Sequence, residues 1–172
     1  PGRKGMIRDV GSHRYLNMYL AIQKSSNIYV ATLIQRVVAT LGAEWYRNQL
    51  EEVFGFGVPT GIELPSESSG LLPSPNKKYG TGQLQWSTPT PYSLSFGYNL
   101  LVNSLQLMRA FAIIANGGYQ VQPTLVKKII KEGEVILDSS QREKKQVLSG
   151  DISRELIYAL KSVTKPGGGG VR

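Results

Sequence analysis

From Ile28 to Leu41 the chain is apolar at ten positions: Ile28, Tyr29, Val30, Ala31, Leu33, Ile34, Val37, Val38, Ala39 and Leu41. The polar positions, Thr32, Gln35, Arg36 and Thr40, fall three or four apart and make one narrow stripe. That periodicity predicts a helix covered by other elements over most of its circumference. Its β-branched residues lower intrinsic propensity, so packing must hold it helical, and Gly42 ends it. Immediately before it stand Lys24, Ser25, Ser26 and Asn27. Any of Ser25, Ser26 and Asn27 can cap the helix by accepting from an orphan amide of its first turn.

The same reasoning places the other elements. Residues 1–11 read as a loop or frayed end. Ser12 caps a helix over 13–24 with Leu16, Tyr19, Leu20 and Ile22 inward, and His13 is exposed at its start. A helix over 43–54 buries Tyr46, Leu50, Val53 and Phe54 and stops at Gly55. Asn103 or Ser104 caps a helix over 104–116, with Leu105, Met108, Phe111, Ala112 and Ala115 as its inner face and Gly117-Gly118 as its end. Residues 119–138 read as strands, folded into a hairpin at Lys131-Glu132-Gly133-Glu134. Ser149 or Asp151 caps a last helix over 151–163, with Ile152, Leu156, Leu160 and Val163 inward. Pro166 and Gly167–Gly170 then end the ordered structure.

Residues 55–102 break the pattern. Recurrent glycines and prolines forbid long regular elements there. Ile62, Leu64, Leu71, Leu72, Trp86 and Tyr92 indicate a loop packed onto a scaffold.

With 172 residues, 41% hydrophobic and 19% charged, the composition is that of one ordinary globular domain. The absence of cysteine excludes disulfides, thiolate metal sites and a cysteine nucleophile. A single histidine argues against a serine–histidine triad and a multi-histidine metal centre, and no cofactor motif is present. The formal charge of +8 could attract nucleic acid or an anionic membrane surface. The basic residues are scattered, however, in pairs such as Lys77-Lys78 and Lys144-Lys145, without a basic stripe interleaved with aromatics. Nucleic acid is therefore not expected as a partner. No run of 18 uncharged apolar residues is present to span a membrane. The start at Pro1-Gly2-Arg3-Lys4-Gly5 suggests a fragment of a longer protein.

What remains is serine, lysine and asparagine chemistry. A serine nucleophile without histidine needs a lysine base, and Ser-x-x-Lys places both on one helix face. The two matches are unsuitable. Ser74-Pro75-Asn76-Lys77 lies in a proline-rich loop, and Ser162-Val163-Thr164-Lys165 lies at a helix end.

The longer pattern resembles the transpeptidase domain of class B penicillin-binding proteins. Lys24-Ser25-Ser26-Asn27-Ile28 resembles the family's Ser-x-Asn motif. Phe54-Gly55-Phe56-Gly57, Thr60-Gly61-Ile62-Glu63-Leu64-Pro65, Glu67 and Gly70 follow as its next block. Ser95-Phe96-Gly97-Tyr98, Leu105-Gln106-Leu107, Arg109-Ala110-Phe111, Ala115-Asn116-Gly117-Gly118 and Pro123 make the third. The ordered set covers residues 12–165, and Ser-Phe-Gly-Tyr leans towards the cell-division branch. Asn99 and Asn103 stand where the family often has glycine and threonine.

The resemblance implies the α+β fold of penicillin-recognising serine enzymes. The chain would supply mostly the helical part (12–118, including the loop 55–102), then a hairpin and helix (119–166) of an incomplete antiparallel sheet, and a flexible end (167–172). It implies a peptidoglycan D,D-transpeptidase that acylates a serine with a stem peptide, transfers the acyl group to a neighbouring amine and is trapped by β-lactams. Ser25 would relay a proton to the leaving amine. Asn27 would hydrogen-bond the substrate amide, and Ser26 would face away. Neither a productive Ser-x-x-Lys before Ser25 nor a Lys-Ser-Gly or Lys-Thr-Gly occurs, so the chain is expected to be inactive alone. Implied partners are stem peptides, β-lactams and other cell-wall synthesis proteins. The implied location is the outer face of a bacterial inner membrane, with the anchor outside this chain. An unpaired sheet edge makes self-association an expectation. The alternatives are a serine β-lactamase or β-lactam sensor of the same fold, and a non-catalytic basic interaction module.

Overall fold

The computed structural model describes residues 6–170. Its helices are α1 (Met18–Lys24), α2 (Asn27–Leu41), α3 (Ala43–Glu52), α4 (Thr90–Ser95), α5 (Ser104–Ala115) and α6 (Gly150–Lys161). Strands β1 (Lys128–Lys131) and β2 (Glu134–Asp138) pair antiparallel. Short 3-10 turns cover Ser139–Gln141 and Ser162–Thr164. The chain divides into two compact units. One holds the described residues up to Arg47, Pro73–Leu100 and the described residues from Glu155 on; the other holds Asn48–Leu72 and Leu101–Arg154.

In the first unit α2 forms where its apolar run predicts it, but it is not surrounded. Among the described residues α4 and α1 pack against it, and only Ala31 is buried. Ile28 and Leu41 are 48% and 50% exposed. Helix α1 begins later than expected. Asn17, not Ser12, is the cap, its side chain accepting from the Leu20 amide at 2.9 Å. His13 is exposed in the preceding coil. Helix α4 is a short helix inside the expected loop, its first turn pre-set by Pro91. Tyr19 and Tyr158 meet edge to face with ring centroids 5.5 Å apart, and the Tyr19 hydroxyl donates to Glu155. The glycine run expected as a flexible end folds back. The Gly168 amide donates to Lys165 O (2.8 Å), that of Gly169 to Gln23 O (3.4 Å) and that of Gly170 to Val163 O (3.0 Å). The last two residues of that expected end lie outside the described residues.

In the second unit α5 starts at Asn103 with a full capping box. Asn103 accepts from the Gln106 amide, and the Gln106 side chain accepts from the Asn103 amide. Its buried face is not the expected one. Gln106, Arg109, Ala110 and Ile113 face inward, whereas Met108 and Phe111 are 65% and 55% exposed. For Gln106 the burial is offset by polar satisfaction, whereas Arg109 Nε is buried without a hydrogen-bond partner. Gln106 Nε2 donates to Val58 O (2.7 Å) and Ser69 O (2.8 Å), and its Oε1 accepts from Asn103 N (2.9 Å). A buried amide bonded this fully can replace an apolar contact and hold two turns of loop at once.

The loop 55–72 is thus packed by polar ties as much as by Leu72. Glu67 accepts from the amides of Thr60 (2.9 Å) and Gly61 (3.1 Å). Leu71 and Leu101 exchange backbone bonds of 2.8 and 2.9 Å. Gly55, at φ 74, ends α3, and a Cβ there would collide with the Arg109 guanidinium.

The hairpin turns at Glu132 (φ 53) and Gly133 (φ 86), the two positive values a two-residue I′ turn requires. Regular strand begins only at Lys128, so Pro123 lies in coil. Helix α6 is capped by Ser149, whose hydroxyl accepts from the Ile152 amide at 3.3 Å. Ile152 itself is half exposed, while Ser153 and Ala159 are the buried residues of α6.

Glu63 ties the segment after Pro123 to the loop. It accepts from the Thr124 hydroxyl at 2.7 Å and the Leu125 amide at 2.9 Å, with Arg142 beside it at 3.5 Å. These groups, the Thr124 hydroxyl first, push its pKa down from 4.5 to about 2.

Two outcomes follow from these ties. Gln106→Met leaves Val58 O, Ser69 O and Asn103 N without their partner and lowers unfolding free energy by about 2–4 kcal/mol in denaturant titrations. The Glu63 contribution is fully present above its unfolded pKa near 4.5 and is lost as pH falls towards about 2. The melting temperature of the wild-type chain therefore drops more steeply across that window than that of Glu63→Gln.

Candidate active site

The expected motif sits at the joint between α1 and α2, and each residue has a different structural job. Lys24 ends α1, and its Nζ donates to Gly167 O at 2.6 Å. Ser25 is the C-cap of α1 in the left-handed region, φ 53 and ψ 49, with its amide shared between Ala21 O and Ile22 O. It is exposed. A non-glycine residue pays about 1–2 kcal/mol for that conformation, so the joint holds Ser25 in a strained turn.

Ser26 is the cap that the sequence left open among three residues. Its hydroxyl accepts from the Tyr29 amide at 3.1 Å and donates to Asp9 Oδ2 at 2.6 Å. It is 2% exposed. The side chain, expected to face away, is buried because it carries the cap.

Asn27 opens α2 half-buried, and its Nδ2 donates to Arg8 O at 3.3 Å. Asp9 also accepts from the Ile28 amide at 3.0 Å. Burial is the largest single influence on the Asp9 carboxyl and raises its pKa. The Ser26 hydroxyl, the Ile28 and Asn27 amides and the His13 charge together outweigh it and leave the value below 3.8.

A cavity of about 680 Å³ opens beside the joint. Residues of 6–16 line one wall, and Ser26, Ile28, Tyr29, Thr32, Leu33 and Arg36 line the other. Ser25 and Asn27 do not line it. A second cavity, about 920 Å³, lies in the other unit and is bordered by Arg109, Arg142, Lys144 and Lys145. No expected site residue lies there. Among the described residues no group of three or more His, Cys, Asp or Glu could hold a metal ion.

The two dismissed Ser-x-x-Lys matches behave as chain ends and loops do. Ser74 is buried in coil. Ser162 opens a 3-10 turn with its hydroxyl donated to Ala159 O at 2.5 Å. Sequence reasoning missed Arg8 and Asp9, which it placed in a loose end. No local pattern marks a carboxylate 17 residues before its partner. The positional oddity of Asn99 does have a structural counterpart. Asn99 adopts φ 62, a conformation glycine takes freely, and its Nδ2 donates to Ser93 Oγ at 2.8 Å.

The family model for the penicillin binding protein transpeptidase domain matches residues 3–172. The chain belongs to the penicillin-binding protein transpeptidase family. It is 31% identical over 168 residues to peptidoglycan D,D-transpeptidase FtsI of Escherichia coli, covering 96% of this chain and 24% of that protein. It is also 31% identical to the probable peptidoglycan D,D-transpeptidase PbpC of Pseudomonas aeruginosa, covering 96% of this chain and 25% of the relative. The structure of penicillin binding protein 3 from Mycobacterium tuberculosis in complex with aztreonam superposes with a TM-score of 0.75 at 28% identity, over 92% of this chain and 33% of that one. This transpeptidase-family chain thus spans about a quarter of the length of the curated relatives it matches. Its architecture is part of the α+β fold of those penicillin-recognising enzymes.

The strained turn of this transpeptidase chain gives a direct check. Ser25→Gly relieves the left-handed cost and stabilises the chain by about 0.5–1 kcal/mol after the entropy of the added glycine is discounted. Paired denaturant titrations of the two chains measure it.

Proposed function

We propose that this chain is an interior part of a peptidoglycan D,D-transpeptidase and carries the second of its three active-site motifs. The observation that supports this most is the family match across residues 3–172 together with an exposed Ser25 beside an anchored Asn27 at one helix joint. A proton relay needs a hydroxyl that is not consumed by the fold, and Ser26 takes the capping work while Ser25 stays exposed. Asn27 keeps its Oδ1 for a donor, because Nδ2 already donates to Arg8 O. It can therefore accept from a substrate amide or from a lysine ammonium.

In this reading the reaction begins when a serine of the Ser-x-x-Lys motif, contributed by another part of the protein, attacks the penultimate D-alanyl carbonyl of a stem peptide. Ser25 passes the proton towards the leaving amine, and Asn27 orients the acyl chain. Transfer of the acyl group to an amine of a neighbouring strand completes the cross-link. β-Lactams enter as donor mimics; relatives of this fold have been solved with aztreonam and ampicillin bound. The parent protein acts on the outer face of a bacterial inner membrane in cell division, with other cell-wall synthesis proteins. Among the described residues no helix is long and apolar enough to cross a membrane. The exposed hairpin edge favours self-association when this chain is alone.

The test is labelling by a fluorescent penicillin. The 172-residue chain remains unlabelled, since one motif of a unit leaves little activity. The complete protein is labelled, and Ser25→Ala slows its acylation by about 10²-fold or more. A covalent adduct on a serine of the isolated chain, or a complete protein that never labels, would defeat this reading.

A further inference from the structure

We propose that Asp9 is a positioning residue for the Ser25–Asn27 motif, acting through a clamp that the Arg8–Asp9 segment places on the start of α2. The inference rests on the transpeptidase reading and adds to it a residue outside the Ser-x-Asn motif. Three hydrogen bonds carry it. Asp9 Oδ2 accepts from the Ser26 hydroxyl at 2.6 Å, Asp9 Oδ1 accepts from the Ile28 amide at 3.0 Å, and Arg8 O accepts from Asn27 Nδ2 at 3.3 Å. One carboxylate therefore bridges the residues on either side of Asn27, while the neighbouring carbonyl decides which way the Asn27 amide is turned.

Ser25 lies between this clamp and a second set of ties. Upstream, Gln23 Nε2 donates to Ser162 O at 3.1 Å and Lys24 Nζ donates to Gly167 O at 2.6 Å. The residue at φ 53 is thus fixed from both sides. A left-handed serine relaxes to the extended or helical region when one side is released, because nothing intrinsic to serine favours φ above zero. Relaxation would re-aim the exposed Ser25 hydroxyl relative to Asn27. The carboxylate also suits its place electrostatically, since an anion at the first turn of a 15-residue helix is favoured by the exposed amides there.

The groups around Asp9 predict how substitutions differ. Asparagine keeps one carbonyl oxygen for the Ile28 amide but offers an amino group to a Ser26 hydroxyl that already accepts from Tyr29. Alanine removes both bonds and leaves the Ile28 amide without its partner. Asp9→Asn is therefore expected to retain part of the function that Asp9→Ala loses.

The experiment uses the complete protein, wild type and both variants. It separates non-covalent penicillin binding from the acylation rate constant by stopped-flow, and follows amide exchange of the peptide spanning 26–30 by mass spectrometry. Expected for Asp9→Ala are an acylation rate constant lower by about 10–100-fold, a dissociation constant changed by less than about threefold because the lost positioning acts in the transition state, and faster exchange over 26–30. Asp9→Asn falls between it and the wild type. Unchanged exchange in Asp9→Ala overturns the clamp whether or not the protein acylates. Faster exchange with an unchanged acylation rate constant overturns the positioning role and leaves Asp9 a structural residue. A wild type that never acylates defeats the transpeptidase reading itself, before any variant is compared. If Asp9→Ala does not fold, Asp9→Asn carries both readouts.

Discussion

The capping of α2 by Ser26 is the interaction on which the candidate site depends. A 15-residue helix begins with amides that have no partner in the helix. Ser26 satisfies the Tyr29 amide and Asp9 satisfies that of Ile28. Because the cap is consumed by these bonds, the helix must start at Asn27 and the preceding helix must already have ended. One residue is left to reverse the chain direction, and that residue is Ser25 at φ 53. The exposure of the relay candidate is thus a consequence of where the cap sits. A shift of the cap by one residue would put Ser25 into the helix or bury it.

A similar economy operates in the second unit with a different residue. Gln106 belongs to a helix but spends its side chain on Val58 O, Ser69 O and the amide of its own N-cap. The loop 55–72 has few apolar anchors and many glycines, so its backbone groups need partners supplied from outside. Glu67 and Gln106 supply them. Both units therefore use a polar group at a helix start to hold a segment with no regular structure: Asp9 with Ser26 in one, Gln106 with Asn103 in the other.

Element existence was legible where periodicity or a cap signature is strong. Helix α2, the Asn103 cap, the Glu132-Gly133 turn and the Ser149 cap all stand where the residues place them. The fold family was legible in the ordered blocks from Ser25 to Pro123, each too short to carry it alone. What misled was the inference from apolar pattern to buried face. The α5 stripe of Met108 and Phe111 is exposed, and Gln106 and Arg109 are inside; the bonds of Gln106 to the loop offset its burial, whereas Arg109 Nε is buried without a hydrogen-bond partner. The α1 start was misplaced because Ser12 and Asn17 are equally good caps in isolation. Asp9 was illegible for a different reason: its partner is set by tertiary structure.

The exposed apolar residues of α2 and α5 bear on how the site would work as part of a larger enzyme. Ile28, Leu33 and Leu41 on one helix, and Leu107, Met108 and Phe111 on the other, leave large apolar surface in water. Uncovered area of this kind weakens packing at about 25 cal/mol per Å² that a neighbour could otherwise gain. α2 needs that packing more than most helices, since its β-branched residues disfavour the helical state by themselves. The polar clamp at its N-terminus does not depend on such cover, because each of its bonds is made within the described residues. Its geometry can therefore be present before the apolar faces are covered, with Ser26, Asn27 and Ile28 already tied to the Arg8–Asp9 segment.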